Sequence, residues 1–191
     1  MSIRTPTTWK SARKDGRGFT LLELMVAVAV LAILLGLGVP AYNDTIRNNQ
    51  ISASSADLIA ALSLARNEAM KRGQRVSVCA AANPNDPDAN PDACAAGTDW
   101  SNGWIVFVDA FGARGVINDG DVPLQSWAAP ARGVRVVSGL DAPVSFTKLA
   151  RAQLAQQFTV TKAGCAGNQQ RSIEINAGGR IGLTRQECTH D

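Results

Sequence analysis

The apolar positions of this chain fall into three successive regimes. From Phe19 to Val39 they are almost continuous, reading FTLLELMVAVAVLAILLGLGV, which is about the ~20 residues that cross a bilayer as a helix. From Pro40 the spacing turns amphipathic. Ile51, Ser55, Leu58, Leu62, Ala65 and Ala69 recur at alternating intervals of four and three, as one mostly apolar stripe requires. Arg47, Asn48, Asp57, Arg66 and Asn67 occupy much of the other surface. Lys71 and Arg72 suit the negative end of a helix dipole, and Gly73 suits the position that ends the helix. The pattern predicts one helix from Phe19 to Arg72, roughly 80 Å long at ~1.5 Å per residue.

Beyond Gly73 the period shortens to that of strands. Arg75–Cys79 alternates with period two, Trp104–Asp109 is an apolar run of strand type, and Asp119-Gly120 marks a turn. Shorter strands are expected at Leu124–Trp127, Val134–Val137, Val144–Thr147, Phe158–Thr161, Arg171–Asn176 and Arg180–Thr184, with Gly178-Gly179 as a hairpin turn. A helix followed by a run of strands is the order of an α+β domain, in which the long helix covers one face of antiparallel sheets.

Charge changes the picture at the N-terminus. The whole chain carries a formal +3. Residues 1 to 18 hold Arg4, Lys10, Arg13, Lys14 and Arg17 against Asp15, a net of +4, and the remainder is −1. A basic segment before an apolar run keeps that end cytoplasmic and sends the rest outward. Glu23 is the exception inside the run, since an unpaired charge at that depth costs about 2.5–3.5 kcal/mol on insertion scales. Cleavage between Gly18 and Phe19 would free an α-amino group about one helical turn away. The amine of a neighbouring helix, shifted along its axis, could serve equally well, and Glu23 would then set the register between subunits. A secretory signal peptide has a shorter core of ~7–15 residues and a small-residue cleavage site. Val39-Pro40-Ala41 imitates one poorly. A plain signal anchor leaves Glu23 unexplained.

The four cysteines, Cys79, Cys94, Cys165 and Cys188, form no CxxC pair, and the one histidine is His190, so no metal site is expected. An even set of widely spaced cysteines behind a membrane-directing segment points to disulfides in an oxidising compartment. Three pairings are open. Cys79–Cys94 with Cys165–Cys188 is expected, because each bond closes a short local loop, with free thiols as the alternative.

Gly18-Phe19-Thr20-Leu21-Leu22-Glu23 ahead of an apolar helix resembles the prepilin peptidase site of type IV pilins and type II secretion pseudopilins. The resemblance implies that the peptidase cuts after Gly18 and methylates the new N-terminal Phe19, and that Glu23 pairs with such an amine during assembly. Pro40 matches a family position where the helix bends or loosens. Leu64–Gly73, Val76–Cys79, Trp100 and Gly103–Asp109 narrow the likeness to the GspH/FimT group of minor pilins and pseudopilins. It covers residues 18 to about 125 closely and the remainder loosely. What it implies is a leader at 1–18, a membrane and filament-core helix at 19–39, an amphipathic continuation at 40–73, and a β-rich domain at 74–191. The domain would lie in the periplasm or on an extracellular filament, with the chain anchored in the inner membrane. Prepilin peptidase and other major and minor pilins or pseudopilins are the implied partners, and a place near a filament tip is the implied role. The type IV pilus and the type II secretion system are not separated by these residues.

Other chemistry is sparse. Asp86, Asp88, Asn90 and Asp92 alternate like the start of an EF-hand, but Pro91 and Gly97 stand where the loop needs Gly and Glu, so a proline-stiffened loop is the better account. No nucleophile–base–acid set stands out, and neither an enzymatic activity nor a cofactor is expected. From Gly133 to Asp191 the balance is +3. FimT proteins that bind DNA during natural transformation carry a C-terminal GRxR motif. Gly179-Arg180-Ile181-Gly182 matches its first half only, and the odd spacing of Arg180 and Arg185 puts them on opposite strand faces. Arg180, Arg185 and Arg171 are therefore the candidate contacts to double-stranded DNA, and they would act through phosphates.

Overall fold

A computed structural model of the chain describes residues 19–82 and 93–189, without the side chains at 37, 38, 40 and 41. The chain divides into two compact units, Met1–Ala41 and Tyr42–Asp191. A single helix, α1 (Leu21–Arg72), contributes to both. Its start is fixed by Thr20, whose Oγ1 accepts a hydrogen bond from the backbone N–H of Glu23 at 3.2 Å, the pattern of an N-cap. Its end is fixed by Gly73, at φ +64°, the left-handed conformation that glycine adopts without strain.

In the first unit the side chains from Phe19 to Gly36 are all exposed. Among the described residues no helix is long and apolar enough to cross a membrane.

In the second unit α1 is followed by β1 (Val76–Ala80), β2 (Trp104–Val108), β3 (Val122–Trp127), β4 (Val134–Ser138), β5 (Val144–Phe146), β6 (Gln156–Lys162), a 3-10 turn (Gly167–Gln169), β7 (Gln170–Ile175) and β8 (Ile181–Gln186). Each strand expected from the sequence is present. They form two four-stranded antiparallel sheets, ordered β3-β2-β1-β5 and β4-β6-β7-β8. The stripe expected on the helix is the buried face: Ile51, Leu58, Leu62, Ala65 and Ala69 are fully buried, and Ser55 nearly so. These residues share one apolar core with Val76, Val78, Trp104 and Val106 of the first sheet, and with Val136, Phe158, Val160 and Ile173 of the second. Ser54 and Ser55 enter that core because each hydroxyl donates back to the carbonyl four residues earlier, at 3.0 and 2.7 Å. The sheets are also joined outside the helix. Trp100 N–H donates to Val136 O at 2.8 Å and Ser138 N–H to Thr98 O at 2.7 Å, while the Trp100 ring meets Phe158 edge-on at 4.8 Å.

β1 alternates with period two in sequence, and both β1 and β2 are buried throughout. The outer face, formed by Cys79, Ile105 and Phe107, is covered by Ala81, Cys94 and Ile117. The loop carrying Ile117 is built around two carboxylates. Asp121 accepts from the backbone N–H groups of Ala110, Phe111 and Asn118, at 2.8 to 3.0 Å. Asp109, whose side chain is fully buried, accepts from Arg75 Nη2 and Ser77 Oγ at 2.6 Å and from Gly115 N–H at 2.8 Å. Burial opposes ionisation of Asp109, but the Arg75, Ser77 and Gly115 bonds and the Arg75 charge outweigh it and hold the carboxyl below its ordinary value.

Cys79 is joined to Cys94 and Cys165 to Cys188. The second bond fastens the chain beyond β8 beside the end of β6, where Cys188 N–H also donates to Gly167 O at 2.9 Å.

Two outcomes follow from this arrangement. Asp109→Asn leaves the half-buried Arg75 without its counter-charge and should lower stability by about 3 kcal/mol, the low end for breaking a buried pair. The folded carboxyl of the parent is more acidic than the unfolded one. Its contribution is therefore complete above the ordinary aspartate value of about 3.9 and is lost as the pH falls through the lower folded value. Denaturant midpoints measured against pH should show a steeper acid limb for the parent than for the variant, and parallel limbs would contradict the assignment. Peptide mapping without reduction should recover Cys165–Cys188 and Cys79–Cys94, and reduction should cost about 3 kcal/mol for the C-terminal loop of separation 23.

Candidate functional site

The N-terminal unit contains the processing and assembly candidates. Gly18 lies outside the described residues. Phe19, the first described residue, is 82% exposed. Glu23 stands in the first turn of α1, where a helix's partial positive charge favours a carboxylate. It is exposed, and among the described residues it forms no ion pair. Along the same helix Leu21, Leu22, Met25 and Ile33 are all more than 60% exposed. An apolar surface this continuous requires another phase or another subunit to cover it. Thr20 was missed by the motif reading, although Thr20-x-x-Glu23 is the sequence signature of a capping box.

In the second unit the three candidate DNA contacts do not form one patch. Arg171 is a correction to the expectation: it is 2% exposed and its guanidinium is used inside the domain. Nη1 donates to the carbonyls of Asn168, Gln169 and Gln170 at 3.1, 2.7 and 3.3 Å. Nη2 donates to Asn48 Oδ1 at 2.7 Å and Ser52 Oγ at 3.2 Å, binding the second sheet to α1. A side chain so placed has no donors to offer a phosphate of a duplex. Arg185 lies directly across from Arg171 in the ladder and is exposed. Arg180 is exposed as well, but it precedes β8 and lines a recess with Glu174, Asn176 and Gly182. The structure thus brings Arg171 and Arg185 together and sets Arg180 apart.

Gly179, the glycine of the partial motif, has a structural reason of its own. Its φ is +77°, and a Cβ there would fall 1.9 Å from the carbonyl oxygen of Ala150. The β7–β8 turn seats on the backbone of the segment after β5, and only glycine fits. The acidic alternation at Asp86, Asp88, Asn90 and Asp92 lies outside the described residues. Among the described residues no group of three or more His, Cys, Asp or Glu is arranged to hold a metal.

Against this geometry the likenesses to known proteins divide along the chain. A family model described as type II transport protein GspH matches residues 54–179, and one described as the prokaryotic N-terminal methylation motif matches residues 13–39. The type IV major fimbrial protein FimA of Dichelobacter nodosus is 53% identical over 36 residues, covering 19% of this chain and 22% of that protein. A fimbrial protein of Pseudomonas aeruginosa is 33% identical over 73 residues, covering 38% of this chain and 46% of that one. The chain therefore spans less than half the length of these relatives. The crystal structure of the type IV minor pilin FimU of Pseudomonas aeruginosa superposes with a TM-score of 0.55 at 21% identity, covering 74% of this chain and 96% of that one. That likeness is one of fold, a long helix packed on antiparallel sheets. Because the GspH model spans well over half of its length, the chain belongs to the GspH family, and it carries the N-terminal methylation motif in front of that domain.

Proposed function

We propose that this chain is a minor-pilin-like subunit, added to a type IV pilus or to a GspH-type pseudopilus after removal of residues 1 to 18. One observation supports this reading above the others: a continuous exposed apolar helix surface, interrupted by the single carboxylate of Glu23, continues into a disulfide-bonded domain. Before assembly the run Phe19–Val39 anchors the chain in the inner membrane with the domain in the periplasm. In the filament the same surface packs against the helices of other pilins. Glu23 then takes the N-terminal amine of a neighbour, and the low dielectric around that pair makes a mismatched register costly. The role is structural, with prepilin peptidase as the processing partner.

Nucleic-acid uptake receives less support. Arg171 is held inside the domain, and Arg180 and Arg185 stand at different recesses, so the three build no continuous cationic track along a duplex.

Processing is tested first. Intact-mass analysis of the membrane protein should show a chain beginning at N-methylated Phe19, and a bulky residue in place of Gly18 should leave the precursor uncut. A mature terminus at Ala41 or Tyr42 would refute the assignment. Assembly is tested separately. Glu23→Ala should insert and be cleaved normally, yet its recovery in sheared filaments should fall about tenfold or more, the scale of one lost charge-assisted contact. Recovery equal to the parent would remove Glu23 from the assembly contact.

A further inference from the structure

Arg171 is nearly fully buried but has no carboxylate beside it. Its partners are neutral acceptors: three backbone carbonyls, the Asn48 amide oxygen and the Ser52 hydroxyl. A buried charge is ordinarily matched by an opposite one, because hydrogen bonds to neutral groups do not cancel its field. Here the nearest charge has the same sign. Arg185 faces Arg171 directly across the β7–β8 ladder, an arrangement that destabilises a sheet. Burial first, and then the Arg185 charge, push the Arg171 guanidinium below its ordinary value. The ion pairs of the described residues engage Arg47, Lys71, Arg72 and Arg75, and neither Arg171 nor Arg185 takes part in one.

Arg185 lines a shallow recess of about 330 Å³ with Asp44, Thr45, Asn48, Asn168 and Gln169, and Arg171 lies behind that wall, bonded to Asn48 and to the carbonyls of Asn168 and Gln169. Asp44, its one carboxylate, is taken by Arg47 at 2.7 Å. The amides lean toward donation. Asn48 Oδ1 accepts from Arg171 and Gln169 Oε1 accepts from Ala166 N–H, so the NH2 group of each is the end left for a ligand. Donor amides beside the exposed Arg185 guanidinium, with the uncompensated Arg171 charge behind them, form a receptor for an oxyanion with several acceptor oxygens.

We propose that this recess binds a phosphate group, and that the phosphate is the headgroup of an anionic phospholipid. The source is argued from the chain itself. Three of the lining residues, Asp44, Thr45 and Asn48, come shortly after the apolar run that ends at Val39, and residues flanking a bilayer span lie at headgroup level. The inference rests on the membrane-anchored stage of the reading above and adds to it a lipid contact that the subunit must release on entering a filament.

The test uses the full chain in neutral detergent, with thermal unfolding followed during titration with short-chain phosphatidylglycerol, inorganic phosphate or short-chain diacylglycerol. Phosphatidylglycerol should raise the midpoint saturably, inorganic phosphate should do so only at higher concentration, and diacylglycerol should not. Arg185→Gln should weaken the apparent affinity about tenfold or more, the scale of one charge-assisted contact. The same variant without lipid should unfold no lower than the parent, since it relieves the repulsion on Arg171. Arg180→Gln, outside the recess, should titrate like the parent. A missing response to phosphatidylglycerol, or an unchanged one in Arg185→Gln, overturns the site. Inorganic phosphate acting as well as the lipid overturns the lipid source, and so does a short DNA duplex binding more tightly than the lipid in an Arg185-dependent way. Leader cleavage and filament recovery are read on intact cells, so loss of either is distinguishable from failure of this titration.

Discussion

The folded domain depends on one contact, the packing of the α1 stripe against the inner faces of both sheets. Neither sheet can bury its apolar face on the other alone, since each presents large residues, Trp104 and Phe146 on one and Phe158 and Ile173 on the other. The helix lies between these demands, and its buried positions are mostly small. Ala61, Ala65 and Ala69 share that face with Leu58 and Leu62, and all five are fully buried. Ser54 and Ser55 are tolerated on that face only because their hydroxyls are satisfied within the helix. Shared burial of this kind makes the domain cooperative: loosening the helix exposes both sheets at once.

That contact also explains how polar groups are distributed. With the helix on the inner face, the first sheet needs a second cover for its outer face, and the chain between β2 and β3 supplies it. A loop lying on a sheet has backbone groups that neither strand nor water satisfies, and Asp109 and Asp121 answer that need. Asp121 gathers three backbone N–H groups of the loop, and Asp109 ties the loop's Gly115 to Arg75 and Ser77 of the strand beneath. On the second sheet Arg171 does comparable work from the other side, collecting the carbonyls around the 3-10 turn and reaching across to α1. Asp109, Asp121 and Arg171 thus organise irregular backbone.

Much of this was legible in the sequence, and the limits were physical. Helix and strand positions show as periodicity, which is local, so the α1 stripe and all the strand segments could be read directly. Sheet membership is a long-range property. Nothing near Val76 announces that it pairs with Phe146 as well as with Val108, and the division into two sheets was not derivable from pattern. The burial of β1 on both faces escaped for the same reason, because the covering loop comes thirty or so residues later in the chain. Local cysteine pairing was readable, since a short loop closes at little entropic cost. Arg171 was misjudged because an arginine in an alternating strand reads as a surface cation. Only the register, which sets Arg171 on the face of Ile173 and Ile175, shows that it points toward the helix.

The N-terminal unit obeys a different logic, and the two halves of α1 solve opposite problems. From Ile51 onward the helix is packed within its own domain. From Leu21 to Gly36 its side chains are exposed, and an apolar surface of this kind calls for a bilayer or other helices to cover it. The two environments differ in how they treat Glu23. In lipid the carboxylate is a cost, which an amine one turn away can offset only in part. Among helices it becomes a constraint, because an unpaired charge at a packed interface is disfavoured by far more than a register error in apolar contacts alone. Leu and Val side chains pack acceptably at many axial offsets, whereas a charge pair is satisfied at few. A segment otherwise built from interchangeable apolar residues thus carries one acidic side chain, and it stands in the first turn, where the helix dipole makes a carboxylate least costly to retain.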